Sequence, residues 1–491
     1  MALAVTRANG VGDHLDLTVT TSGCPKVSTL NVLNQGQLLK PVSAGTGALP
    51  VTLSVAELPF GGGIPGVFSL TAEVTCADGR KARSTPVSAT LFPAVRVFTR
   101  TDGTEVVPAT FYAEGSAGGL SFVGCRSLSA TQTELVRVNT AGDIAQANPG
   151  LPIPCKSSTW FTEHTVGGVR WMVTPGSGAL AYDENLNVIT QAQYNTLGFP
   201  DAGTSLAPLL PLFLSVGPDG DAVILVAGAN SRSATVVRAP HSGTAALGPC
   251  QPNVWCTAMD LPQAPARIDA AGTTVTVTAT LENPDAGQAT FQAQRLNYAS
   301  GAGVVTSLWP ISYPQLSPAT AELTPDGTLA FFPYDSATTS GLFNVVSLVT
   351  DGSGSVPHWL TGNLSGTPEG LFLSGDGVYV AAVAAERTWF LSASTGVNVG
   401  HGGQPLAPTA PLITTAIQQG PHSDFYLLNG VAGQPPSELV ATDAPDAGEL
   451  FRLSAPDGGA SLAFDDSGQL WLRLGNTLVQ TLPVASYRNL R

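Results

Sequence analysis

Trp160, Trp255, Trp309 and Trp359 each precede a glycine in a turn-forming context, Gly178, Gly272, Gly327 and Gly377, by 17 or 18 residues. Self-similarity with a period of about 50 residues marks a repeat architecture, and repetition constrains a fold before any single motif does. Each unit sets a glycine turn between short apolar runs. Such a unit is a small β-sheet that cannot bury its faces alone and must stack on its neighbours. Without repeats, 491 residues would call for two or three separate cores.

The composition fits many short strands and tight turns. Only 11% of residues are charged, Gly occurs 54 times and Pro 38 times. Lys occurs four times and Met three, and no long stretch keeps a helical apolar stripe free of Gly or Pro. The chain therefore reads as all-β. Its net charge of −14 is spread over single acidic residues, a distribution that favours solubility. Nucleic acid and anionic membranes both call for clustered Lys and Arg. No basic run occurs and no stretch of about 18 apolar residues is present, so neither nucleic-acid binding nor membrane insertion is expected.

Cys24, Cys76, Cys125, Cys155, Cys250 and Cys256 form an even set without zinc-type spacing. Six cysteines allow about fifteen connectivities. Proximity along the chain favours Cys24 with Cys76, Cys125 with Cys155 and Cys250 with Cys256. Buried free thiols in a reducing compartment are the alternative. Disulfides place the chain in an extracellular, cell-surface or periplasmic setting. The start, MALAVTRANG, has no apolar core of a secretory signal. Export then calls for a leader or lipoprotein anchor outside this sequence, or for an unconventional route.

Residues 1–92 lack the Trp-to-Gly repeat. His14 to Thr20, Ser28 to Leu39, Leu49 to Leu58, Val67 to Gly79 and Ser84 to Phe92 alternate apolar and polar residues as half-buried strands do, and five such strands make a sandwich. The run VFSLTAEVTCADGRKARSTPVSATL places Ala77, Asp78 and Gly79 at a hairpin, with Ser84, Val87 and Ala89 on the returning strand. It resembles the end of bacterial Ig-like domains, a resemblance that implies a spacer or adhesive module.

From residue 93 onward, turn centres fall near Gly118, Gly178, Gly220, Gly272, Gly327, Gly377, Ser423 and Gly468. They predict a β-propeller of eight blades, with seven as the rival count. The last unit offers strands at Ala460 to Phe464, Gln469 to Leu474 and Thr477 to Leu482 and is one strand short. AVRVFTR, Ala94 to Arg100, is the candidate to close the ring, making 93–491 one propeller domain. Pro218-Asp219-Gly220 and Pro325-Asp326-Gly327 combine a preset φ, a local backbone acceptor and a residue tolerant of positive φ. With the connector His358 to Pro368, they resemble TolB-like propellers and their Ser-Pro-Asp-Gly repeats. Two units depart from that pattern: Ile268 to Thr273 lacks the proline, and no glycine follows Asp424. The resemblance implies a fold and no activity. The tryptophans are expected to pack between blades at an equivalent place in each repeat, an exposed ring for sugar stacking being the alternative.

Catalytic signatures are sparse. Gly61 to Gly66 has dinucleotide-loop spacing, but Pro65 and a β-rich continuation deny the helix that motif needs. The histidines never pair at metal-binding spacing. Glu163 with His164, and His422 with Asp424, are the nearest approaches to acid–base groups. Asp465 and Asp466 loosely resemble the Asp-box turns of sialidase propellers. Asp219 and Asp221 are the candidate Ca²⁺ ligands; otherwise no cofactor is expected. The sequence thus favours a non-catalytic binding or scaffold protein that contacts a protein or glycan through propeller loops, as a free protein or a subunit of a surface assembly. The alternative is a propeller enzyme acting on an extracellular polysaccharide or small metabolite.

Overall fold

The computed structural model describes the strands given below and most of their adjoining turns, between residues 2 and 480. Segments 55–65, 97–109, 194–209, 242–255 and 481–491, with shorter stretches between strands, lie outside the described residues. The chain is all-β, without an α-helix among the described residues.

Two sheets form the N-terminal unit. One orders Ala2–Thr6, His14–Ser22 and Gly47–Ser54; the other orders Gly10–Val11, Val87–Phe92, Gly66–Cys76, Val27–Asn34 and Gln37–Val42, with Lys81–Arg83 beside Gly66–Cys76. Leu17, Val19 and Val51 from the first sheet meet Val27, Leu30, Val32, Leu70, Ala72 and Val74 from the second in one core. The alternation in the sequence produces this directly, since every second side chain of a strand faces the same way. Two features differ from the sequence reading. Ser28 to Leu39 is not one strand but two, because Gly36, at φ +88°, turns the chain between Asn34 and Gln37. The opening segment, Ala2–Thr6, is itself a strand, paired antiparallel with His14–Ser22. Gly61 to Pro65 lie outside the described residues; Gly66 begins a strand.

Eight antiparallel sheets follow one another, numbered here in chain order. The first spans Thr110–Ser116 to Ile144–Pro149, the second Trp160–Phe161 to Val188–Gln193, the third Leu210–Val216 to Cys256–Asp260 and the fourth Arg267–Ile268 to Gly303–Ser312. The fifth spans Gln315–Leu316 to Leu364–Ser365, the sixth Pro368–Leu373 to Arg387–Ser392 and the seventh Ile413–Gln419 to Gly448–Ser454. The eighth joins Ala460–Phe464, Leu470–Leu474 and Thr477–Gln480 to Ala94–Arg96, which pairs antiparallel with Thr477–Gln480 through Ala94 to Val479, Val95 to Leu478 and Arg96 to Thr477.

First strands of neighbouring sheets pack together: Thr110–Ser116 against Ala460–Phe464 and Trp160–Phe161, and Pro368–Leu373 against Glu322–Leu323 and Ile413–Gln419. Contact between the first and eighth sheets brings the array back onto itself. This is a β-propeller, with each apolar core lying between two consecutive sheets. Val223 and Val236 of the third sheet, for example, meet Val275, Val277 and Ala279 of the fourth, while Phe291 and Ala293 on the fourth sheet's other face meet Ala330, Phe332 and Val346 of the fifth.

Register shows what repeats. Gly168, Gly220, Gly272, Gly327 and Gly377 all have positive φ, and each stands two residues before the second strand of its sheet. Gly178, by contrast, begins the third strand of the second sheet, so the turn glycine of that unit is Gly168. The tryptophans are not equivalent either. Trp309 lies opposite Phe291, near the far end of its ladder, whereas Trp359 lies opposite Ser347, near the turn end. Trp160 is on a first strand, and Trp255 lies outside the described residues. Trp309 and Trp359 do pack between sheets: Trp309 stacks on Phe291 and meets Tyr334 edge-on at 6.1 Å, while Trp359 lies 5.7 Å from Phe331 and donates from Nε1 to Ala393 O at 2.8 Å.

Turns between first and second strands interlock from sheet to sheet. A Cβ on Gly272 would overlap the Pro218 ring of the preceding turn, and one on Gly327 would overlap Thr276 Oγ1. Gly327, at φ +66°, also holds a backbone conformation that costs an L residue about 1–2 kcal/mol. Gly327→Ala is therefore expected to lower the unfolding free energy by about 2 kcal/mol, read as a shift in the urea midpoint. An unchanged midpoint would show that the turns slide past one another freely.

Candidate binding face at the turn ring

Strand one of each sheet enters its turn and strand two leaves it, so these turns gather on one face of the propeller. Backbone bonds tie them together: Gly375 N donates to Gly420 O at 3.1 Å and Asp376 N to His422 O at 3.3 Å, linking the sixth and seventh sheets. Trp171 Nε1 donates to Gly220 O at 3.0 Å, linking the second and third. The turn aspartates accept from the backbone two residues on, as Asp326 does from Thr328 N at 3.0 Å and Asp376 from Val378 N at 3.1 Å, which is why Asp recurs there.

Asp269 makes the fullest version of this cap, accepting from the N and Oγ1 of both Thr273 and Thr274 at 2.6–3.2 Å. Partial burial pushes its carboxyl up, but the hydrogen bonds from Thr273 and Thr274 more than reverse this and bring it down to about 2. The folded pKa is depressed, so the stabilisation is present above the unfolded value and is lost as pH falls through about 2. Asp269→Asn is expected to melt below the wild type at neutral pH, with the gap narrowing on acidification from pH 4 toward 2. A gap independent of pH would refute the cap.

The densest polar cluster joins the third and fourth sheets. Arg238 donates from Nη2 to Asp219 Oδ2 at 2.7 Å and from Nε to Asp221 Oδ2 at 3.0 Å. Tyr298 OH donates to Asp219 Oδ1 at 2.5 Å, and the Arg238 guanidinium lies 4.3 Å from the Tyr298 ring centre. Asp221 Oδ1 receives His241 N at 2.9 Å and faces His241 Nδ1 at 2.7 Å. Burial raises the Tyr298 hydroxyl and its bond to Asp219 raises it further. The guanidinium thus bridges Asp219 and Asp221, and both carboxylates accept from protein donors.

A second cluster lies on the inner strands. Glu322, only 4% exposed, accepts from Arg267 Nη2 at 3.1 Å and from Gln419 Nε2 at 3.4 Å, joining the fourth, fifth and seventh sheets. Sequence offered no pointer to it, because Gln419 is 97 residues from Glu322. His422 and Asp424 do meet, but through the His422 backbone N, 3.3 Å from Asp424 Oδ1. Asp424 is fully buried, burial pushes its carboxyl up, and it lies directly against Gly420. Glu163 and His164, and Asp465 and Asp466, lie outside the described residues. Among the described residues, no group of three or more His, Cys, Asp or Glu side chains is arranged to hold a metal ion.

Cys24 is bonded to Cys76 with Cα atoms 5.8 Å apart, and Cys125 to Cys155 at 5.7 Å. The second bridge pins the segment leading from the first sheet to the second, where Thr133 Oγ1 and Thr174 Oγ1 also bind Ile153 O and Pro154 O at 2.9 Å. The expected Cys250 to Cys256 bridge lies outside the described residues.

The chain matches no protein-family profile and no curated protein. Among solved structures, it is similar to BamB from Moraxella catarrhalis, at 14% identity over 75% of this chain and 96% of that one, TM-score 0.41. The C-terminal WD40 domain of Sif2 is similar at 8% identity over 79% and 99%, TM-score 0.47. The β-propeller domain of Cps50 (Swd1) from Myceliophteria thermophila is similar at 12% identity over 66% and 96%, TM-score 0.39. At these identities the likeness is one of fold alone.

Proposed function

We propose that this protein is a non-catalytic binding scaffold of an extracellular, cell-surface or periplasmic compartment. An Ig-like sandwich, residues 1–92, carries an eight-bladed propeller, residues 93–491, whose loop face contacts a protein or glycan. One observation carries the reading: two sets of polar groups, at the turn ring and on the inner strands, are bonded within themselves. Asp219, Asp221, Arg238, His241 and Tyr298 form one such set, and Glu322, Arg267 and Gln419 the other. Groups paired in this way hold a surface rigid. A rigid ring with connections of unequal length is a platform for recognition.

Other features support the finer parts. A three-stranded sheet facing one in which Val87–Phe92, Gly66–Cys76 and Val27–Asn34 are consecutive fits an Ig-like order. Eight consecutive sheets favour eight blades over seven. Two disulfides favour an oxidising compartment. No cofactor is invoked. The test uses the purified chain as bait in the native cell envelope, alongside turnover assays on polysaccharides. Saturable retention of one protein or glycan without turnover is the expected result. Measurable turnover with nothing retained would overturn the proposal in favour of a propeller enzyme.

A further inference from the structure

We propose that the outer strand of the fourth sheet, Gly303–Ser312, is an open docking edge for an extended segment of another protein. That segment is uncharged along the paired stretch and flanked by Lys or Arg. The inference rests on the binding-scaffold reading, but it places a contact on the propeller's side wall, away from the turn ring.

Three observations converge on this strand. Its sequence, GVVTSLWPIS, runs ten residues without a charge. It pairs with Gln288–Asn297 on one side, and among the described residues no strand pairs with its other side. An outer strand presents a row of backbone N–H and C=O groups that only another extended backbone matches in spacing, so the edge itself defines the shape of its occupant.

The side chains define the occupant's chemistry. Val305, Ser307 and Trp309 turn toward the fifth sheet, where Ser307 is buried and its Oγ accepts from Gly352 N at 2.9 Å. Alternate residues Val304, Thr306, Leu308 and Pro310 are exposed, Val304 at 60% and Leu308 at 44%. Thr306 and Leu308 stand opposite Gln294 and Gln292, both half-buried. The result is a shelf of apolar and amide groups beside an unpaired edge.

Uncharged outer strands also occur in the first and second sheets, Ile144–Pro149 and Val188–Gln193, but at six residues they are shorter; three others carry guards against such pairing. Gln37–Val42 has Lys40 and Pro41; Arg387–Ser392 has exposed Arg387 and is bridged at Thr388 by Leu406; Gly448–Ser454 contains Glu449 and Arg452. Lys, Pro and charged residues are the usual means of blunting an edge. Gly303–Ser312 has only Pro310, near its end.

Charge fixes the rest. A chain of net charge −14 attracts basic segments at long range and repels a second copy of itself. The strand itself offers no countercharge, so bases on the partner belong outside the paired stretch.

The test selects from a random peptide library, with peptides long enough to span the strand and both flanks, on the wild-type chain. The expected winners alternate Val, Ile, Thr or Tyr over the centre and carry Lys or Arg at the ends. They slow amide exchange across 303–312 and bind Leu308→Lys about tenfold more weakly. Leu308 is exposed, so this variant is expected to keep the wild-type melting temperature, and Thr306→Lys serves as a second probe of the same shelf. Peptides that bind Leu308→Lys and Thr306→Lys as well as wild type would overturn the docking edge and leave the scaffold reading standing. So would dimerisation of the chain through this strand, seen by light scattering and abolished by Leu308→Lys. A library without winners would overturn the docking edge alone, since the envelope capture tests the scaffold reading separately.

Discussion

Replacing Val95 with proline is expected to lower the unfolding free energy by about 2 kcal/mol, a large effect for a single substitution on a three-residue strand. Val95 is the middle residue of Ala94–Arg96 and pairs with Leu478, so the strand that completes the eighth sheet comes from the opposite end of the propeller sequence. Proline removes a backbone donor and fixes φ, and an outer strand such as this one accepts it only where the nitrogen faces solvent. Loss of this short strand also leaves Thr477–Gln480 as an unpaired edge beside the point where the first and eighth sheets meet. Urea denaturation followed by tryptophan fluorescence measures the effect. Val95→Thr, which keeps the donor and a β-branched side chain, is expected to stay within about 1 kcal/mol of wild type. A Val95→Pro variant with the wild-type midpoint would show that the ring holds without its closing strand.

Features of the sequence that act locally were legible, and those that depend on the ladders were not. Pro-Asp-Gly marks a turn wherever it stands, because Pro, Asp and Gly each act on the backbone next to them; Gly220 and Gly327 accordingly sit in first-to-second turns. The tryptophan spacing looked equally regular but was the sum of unequal parts. Trp309 and Trp359 each stand 18 residues before a turn glycine, Gly327 and Gly377, although they occupy different rungs, and Trp160 reached Gly178 only by passing over the real turn glycine, Gly168. The polar clusters were beyond reach for a different reason. Asp219 is 79 residues from Tyr298 and Gln419 is 97 from Glu322; the first pair meets through the stacking of consecutive sheets and the second through the curvature of the array. Arg238, on a later strand, was likewise invisible as the partner of Asp219 and Asp221.

Removing the two described disulfides is expected to affect separate parts of the molecule. Cys24 and Cys76 enclose a sequence separation of 52 and Cys125 and Cys155 one of 30. Chain-entropy reasoning assigns about 4 kcal/mol to the first and slightly less to the second. All seven tryptophans lie beyond residue 92, so fluorescence reports on the propeller and is blind to the N-terminal sandwich core. Cys24→Ala with Cys76→Ala is expected to produce an early loss of far-UV β signal at low denaturant, with the fluorescence midpoint unmoved. Cys125 and Cys155 share a core with Met172, Leu180 and Tyr182 of the second sheet, next to Trp171 on the same strand as Met172. Cys125→Ala with Cys155→Ala is therefore expected to move the fluorescence midpoint itself. If the first double variant shifted fluorescence as far as the second, residues 1–92 would be part of the propeller's cooperative unit, and the two-domain division proposed above would fail.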